Sequence, residues 1–183
     1  MDYSKVRIAL IALVAGLVLG AGAFALFIMN DDIFGGRSGG STVAPSAMNA
    51  RIVTEQGDAT TISEIADGRP AVVTFWATWC PFCVDELPDL EELRAQYGDR
   101  IAFIYIDAAE GDRETVEDAA AWLAENGYTE LPAYYDTEEA AAKAFDLGYL
   151  PTTILISSDG RVADMIEESI DPEELREALD ALV

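Results

Sequence analysis

Ala71-Val72-Val73-Thr74-Phe75-Trp76-Ala77-Thr78-Trp79-Cys80-Pro81-Phe82-Cys83 is the stretch that decides the fold. Ala71 to Trp76 is a continuous run of the kind that forms a strand covered on both faces. The last four residues hold both cysteines of the chain. An acidic helical pattern begins there and reaches Tyr97, where Gly98 stops it. A helix starting at Cys80 puts the two sulfurs on one face, about one turn apart and within bridging reach. The first thiol then sits where unpaired N–H groups and the helix dipole favour a thiolate. Pro81 suits the first helical position because its missing N–H costs nothing there. Zinc is disfavoured, since the chain has no histidine and no third cysteine. A structural staple closing so small a loop would remove little entropy from the unfolded chain. Dithiol/disulfide exchange is the reading that remains.

Outward from this centre, the order of elements alternates. Ile52-Val53-Thr54 and Thr60-Thr61-Ile62 flank Gly57-Asp58 as a hairpin, with a brief helix near 63–66. Further strands are expected at 101–106, 133–135, 152–157 and 161–165, and helices at 112–126 and 138–145. Asp159-Gly160 reads as a hairpin turn. Asp171 and Pro172 open a final helix. Such alternation, ending in a hairpin and a helix, argues an α/β domain with a central mixed sheet and helices on both faces.

Toward the N-terminus, Ile8 to Met29 is an uncharged stretch of 22 residues, long enough to cross a membrane as a helix. Lys5 and Arg7 precede it and Asp31 and Asp32 follow it, which places residues 1–7 in the cytoplasm and the rest outside. The competing reading is a signal peptide cleaved after Ala21-Gly22-Ala23. Both readings export the cysteines. Residues 30–50, rich in glycine and serine, read as a flexible linker to a domain over 51–183. That domain has 8 Lys/Arg against 31 Asp/Glu and carries the whole net charge of −23. Nucleic acid is thereby an unfavourable partner, as is an anionic lipid surface.

Phe75 to Cys83, then Glu86 and Pro88, and later Tyr149-Leu150-Pro151-Thr152-Thr153, together resemble the membrane-anchored, TlpA/ResA-like branch of the thioredoxin superfamily. The resemblance implies a thioredoxin-like fold and thiol–disulfide oxidoreductase activity without a cofactor or metal. It implies an exposed attacking Cys80, a buried resolving Cys83, and a cis peptide bond before Pro151. Trp79, Pro81, Phe82, Leu150, Pro151 and Thr152 would then border the substrate. Leu150's backbone is left free to pair with an extended segment.

Glu86 matches the acidic residue these proteins keep under the cysteine pair. Independently, Glu86, Leu90, Leu93 and Tyr97 fall on one helical stripe, so the carboxyl is expected to be at least partly buried. Burial would raise its pKa and suit it to exchange protons with Cys83. Asp85, Asp89, Glu91 and Glu92 are assigned to the wet face, and Pro88 is expected to interrupt the helix.

The implied partners are disulfide-containing exported proteins such as apocytochrome c, and a membrane electron donor of the CcdA/DsbD kind. A reductant is expected, because no histidine lies between the cysteines and Asp85 and Glu86 disfavour added negative charge. An exported oxidase using the same residues and a thiol-based copper chaperone are the rival readings. Three departures from the family pattern stand out: the Pro81-Phe82 dipeptide, the absence of a proline motif around residues 49–53, and Glu167-Glu168 after the last strand.

Overall fold

The computed structural model describes residues 45–183 other than Glu110 and Asp112. The expected membrane span and most of the linker lie outside these residues. Among the described residues, no helix is long and apolar enough to cross a membrane.

The elements are α1 (Pro45–Met48), β1 (Ile52–Val53), β2 (Ala59–Thr60), α2 (Ile62–Ala66), β3 (Ala71–Trp76), α3 (Pro81–Tyr97), β4 (Ala102–Asp107), α4 (Val116–Glu125), β5 (Ala133–Tyr135), α5 (Ala140–Ala144), β6 (Thr152–Ile156), β7 (Val162–Ile166) and α6 (Pro172–Asp180). A single-turn 3₁₀ helix (Gly98–Arg100) follows α3. The strands form one mixed sheet in the order β2-β1-β5-β4-β3-β6-β7. β3 runs parallel to β4 and antiparallel to β6, and β4 runs parallel to β5.

Strand alternation sorts the core into two layers. Val72, Trp76, Phe103, Tyr105 and Leu155 face Cys83, Leu87, Leu90 and Leu93 of α3 and Leu175 and Leu179 of α6. Ala71, Val73, Phe75, Ile104, Ile106 and Ile154 face α1, α2 and α5 through Ala47, Ile62, Ala66, Ala141 and Phe145. Both faces of β3 are therefore covered, and all six of its residues are buried. This is the architecture the resemblance implies.

Several boundaries and placements differ from the sequence reading. The linker was expected to run to Ala50, but Pro45–Met48 is helical and Ala47 is fully buried. Ala47, Met48 and Ala50 supply apolar contacts to the lower layer, which outweighs the local Gly/Ser character. α4 begins at Val116 rather than 112, because Thr115 and Asp118 form a reciprocal capping box that fixes the first turn. Glu91 does not belong to the wet face. It is half-buried, pairs with Arg94 at 2.7 Å and accepts the Tyr105 hydroxyl at 3.0 Å. α3 continues through Pro88, whose ring lies on the exposed side of the helix.

Candidate active site

The register of the sheet explains where the cysteines sit. Trp76 at the end of β3 pairs with Asp107 at the end of β4, and Phe75 pairs with Thr152 at the start of β6. The loop carrying Cys80 therefore leaves the sheet between the end of β4 and the turn that holds Leu150 and Pro151. This is the edge where α/β sheets gather their ligand-binding groups.

Cys80 and Cys83 are joined by a disulfide, with Cα atoms 5.3 Å apart. Cys80 is the N-cap of α3 and Pro81 its first residue. The Cys83 N–H donates to the Cys80 sulfur at 3.2 Å. On reduction the same N–H faces a Cys80 thiolate, so the helix start supplies both a donor and a favourable dipole to that sulfur. Cys80 was expected to be exposed. In the disulfide form it is buried, 5% exposed against 2% for Cys83, because its sulfur is held inward by the bond and by this donor. The exposed group beside it is Phe82, at 65%.

One turn along α3 from Cys83, Glu86 faces the same side and is 5% exposed. Its Oε1 accepts the Ile170 N–H at 2.8 Å, while Oε2 is buried without a hydrogen-bond partner. Burial pushes the carboxyl above its usual range, opposed by the Ile170 N–H and the Ser169 hydroxyl. Such a carboxyl keeps its proton to higher pH than an ordinary glutamate.

The Leu150–Pro151 peptide bond is cis. Leu150 is half-buried and Pro151 buried. Thr152 is 0% exposed and donates its hydroxyl to the Tyr149 carbonyl at 2.8 Å, so it braces the turn from within. Tyr149 is 70% exposed. Trp79, Asp136, Lys143, Leu147, Tyr149 and Leu150 are among the residues that line a cleft of about 560 Å³. Asp136 is buried and ties down the start of α5, its two carboxylate oxygens accepting the N–H groups of Ala140 at 2.8 Å and Ala142 at 2.7 Å.

A second buried acidic group lies at the end of β4 and in the loop that follows it. Asp107 is fully buried and Glu114 is 3% exposed. Glu114 accepts both the N–H of Thr78, at 3.2 Å, and the Thr78 hydroxyl. Neither oxygen of Asp107 makes a hydrogen bond of ordinary geometry, and the Ala109 N–H offsets its burial only weakly. Its carboxyl is pushed up to about 8, first by burial and then by the negative charge of Glu114. When protonated, Asp107 becomes the donor that the pair lacks. The sequence offered no sign of this arrangement. Nothing local links Glu114 to Thr78, 36 positions earlier.

Among proteins of known sequence, the chain is 26% identical over 115 residues to the thioredoxin-like protein YneN of Bacillus subtilis, covering 63% of this chain and 66% of that one. It is 32% identical over 101 residues to the thiol-disulfide oxidoreductase ResA of Bacillus anthracis, covering 54% and 55%. The aligned part thus spans about two thirds or less of these relatives' length. Among solved structures, a secreted Mycobacterium tuberculosis disulfide oxidoreductase homologous to E. coli DsbE superposes with a TM-score of 0.64 at 21% identity, over 76% of this chain and all of that one. That likeness establishes a thioredoxin-like fold. Because the Redoxin family pattern matches residues 40–182, which include the cysteine loop and every strand of the sheet, the chain belongs to the Redoxin family.

Proposed function

We propose that the chain is an extracytoplasmic thiol–disulfide oxidoreductase that reduces disulfides in exported proteins, apocytochrome c among them. The observation that carries this reading is the Cys80–Cys83 disulfide at the start of α3, with a backbone N–H aimed at the Cys80 sulfur. In the reduced protein, the Cys80 thiolate attacks one sulfur of a substrate disulfide. The substrate S–S bond breaks, an S–S bond to Cys80 forms, and the first substrate sulfur leaves as a thiolate that takes a proton from water. The Cys83 thiol passes its proton to Glu86 and attacks the Cys80 sulfur. The second substrate thiolate departs, two electrons have moved to the substrate, and the Cys80–Cys83 disulfide has formed. A membrane dithiol donor of the CcdA/DsbD kind resets it, which fits an anchor over residues 8–29 that keeps the domain near the membrane.

Trp79, Phe82 and Leu150 offer apolar surface around the sulfurs, and the Leu150 backbone offers strand-like pairing to an extended substrate. Direction follows from electrostatics: no cation lies between the cysteines, and the negative domain disfavours a second thiolate, so the dithiol gives up its electrons readily. Equilibration with glutathione buffers tests this. A potential below about −180 mV is expected, and a higher value would assign the chain as an oxidant. In membranes, a Cys83→Ala variant is expected to retain substrate as a mixed disulfide on Cys80. Failure to recover any disulfide-linked exported protein would refute the substrate assignment.

A further inference from the structure

The loop between β4 and α4 reaches back to the redox site at two consecutive residues. Glu114 takes both donors of Thr78, its N–H and its hydroxyl. Arg113 places its guanidinium carbon 3.5 Å from the centroid of the Trp79 ring, a close cation–π contact. Thr78 and Trp79 are the two residues immediately before Cys80. The Cys80 N–H in turn donates to the Ala77 carbonyl at 3.1 Å, closing the tight turn that delivers Cys80 to the helix start.

Burying a glutamate is unfavourable unless hydrogen bonds compensate it. Here both compensating bonds go to the cysteine loop. Behind Glu114 stands Asp107, the strand partner of Trp76. A protonated Asp107 can donate to Glu114 and leaves both bonds of Glu114 to Thr78 in place. The exchange steps themselves involve none of these groups.

We propose that Arg113 and Glu114 are positioning residues of the redox site, clamping Thr78 and Trp79 so that Cys80 stays at the start of α3 within closing distance of Cys83. The proposal rests on the thiol–disulfide reading of the site and adds a determinant of its equilibrium. Forming the internal disulfide is a ring closure, and its constant rises with the fraction of time the reduced loop holds Cys80 in closing geometry. Arg113 additionally holds a cation against the ring of Trp79, the residue before Cys80, and positive charge on that stretch of chain favours a Cys80 thiolate. A loop anchor with a purely structural role would lower the folding midpoint and leave both properties unchanged.

The test is the equilibrium in which protein disulfide and two glutathione thiols give protein dithiol and glutathione disulfide, measured on the full chain with each variant kept below its folding midpoint. Glu114→Ala is expected to shift this constant about 10-fold toward the dithiol, equivalent to about 30 mV for a two-electron couple. Glu114→Gln keeps an acceptor for Thr78 and adds a donor for Asp107, and is expected to stay within about threefold of the parent. An unshifted Glu114→Ala, or a Glu114→Gln shifted as far, overturns the clamp. If Glu114→Ala does not fold, Thr78→Val removes the hydroxyl donor alone and is expected to shift the constant about threefold, with no shift overturning the proposal. Arg113→Ala is expected to slow iodoacetamide labelling of reduced Cys80 about threefold at pH 7, with Arg113→Lys intermediate, and an unchanged rate removes Arg113 from the clamp. A parent protein inert to glutathione would instead refute the oxidoreductase reading itself, whereas a reactive parent with unshifted variants refutes only the clamp.

Discussion

Replacing Asp107 by asparagine removes a carboxyl that is fully buried, makes no hydrogen bond of ordinary geometry, and has its pKa raised to about 8 from an ordinary 3.8. A carboxyl whose folded pKa lies above its unfolded value destabilises the fold as pH rises. Below the unfolded pKa both states hold the proton and there is no effect. Between the two values only the folded state holds it, and stability falls by up to about 1.4 kcal/mol per pH unit. From pH 5 to pH 8 the limit is therefore about 4 kcal/mol. The substitution also removes the repulsion between an ionised Asp107 and the negative charge of Glu114. The asparagine is isosteric, does not titrate, and donates to Glu114 at every pH. The assay is urea unfolding of the oxidised protein at several pH values between 5 and 8, with the thiols held in their disulfide. The stability difference between variant and parent is expected to grow by about 2–4 kcal/mol in the variant's favour between pH 5 and pH 8. Repulsion among the many surface carboxylates also grows with pH, but it is common to both proteins and cancels in the difference. Parallel curves for the two proteins would refute the reasoning.

Three other predictions follow from single contacts. Glu86→Gln removes the proton acceptor beside Cys83 and is expected to slow resolution of the Cys80 mixed disulfide about 10–100-fold near neutral pH, measured by rapid quench, while iodoacetamide labelling of Cys80 is unchanged. Equal slowing of both would show a general disturbance of the helix. Asp136→Ala leaves the N–H groups of Ala140 and Ala142 without acceptors, and a loss of about 2 kcal/mol in urea unfolding is expected. Thr115→Ala breaks the capping box of α4 and should cost about 1 kcal/mol by the same measurement.

How far the sequence was legible depended on the range of the interaction concerned. β3 and α3 could be read because each is defined within its own segment: an apolar run, a proline at the first helical position, and Gly98 with a positive φ at the end. Glu86 was legible for the same reason, since its place on the apolar stripe is a matter of spacing. Helix α1 was missed because its helical state depends on a contact layer built by distant strands rather than on its own composition. Glu91 looked solvated by position, but it is drawn inward by the Tyr105 hydroxyl from the neighbouring strand. Glu114 was beyond reach, since its partner lies on another element and only the parallel pairing of β3 with β4 brings the two loops together.

The sheet ends on one side in β7, whose outer backbone groups have no neighbouring strand among the described residues. Such a rim is a template on which another copy can lay down a strand. Here it carries Asp164, with Glu167 and Glu168 just beyond, all exposed. Two copies approaching rim to rim would bring these carboxylates into opposition, so the protein at high concentration resists fibril-like stacking without needing a covering helix. Concentrated salt would weaken that protection, and the surface would then become adhesive before the interior began to unfold.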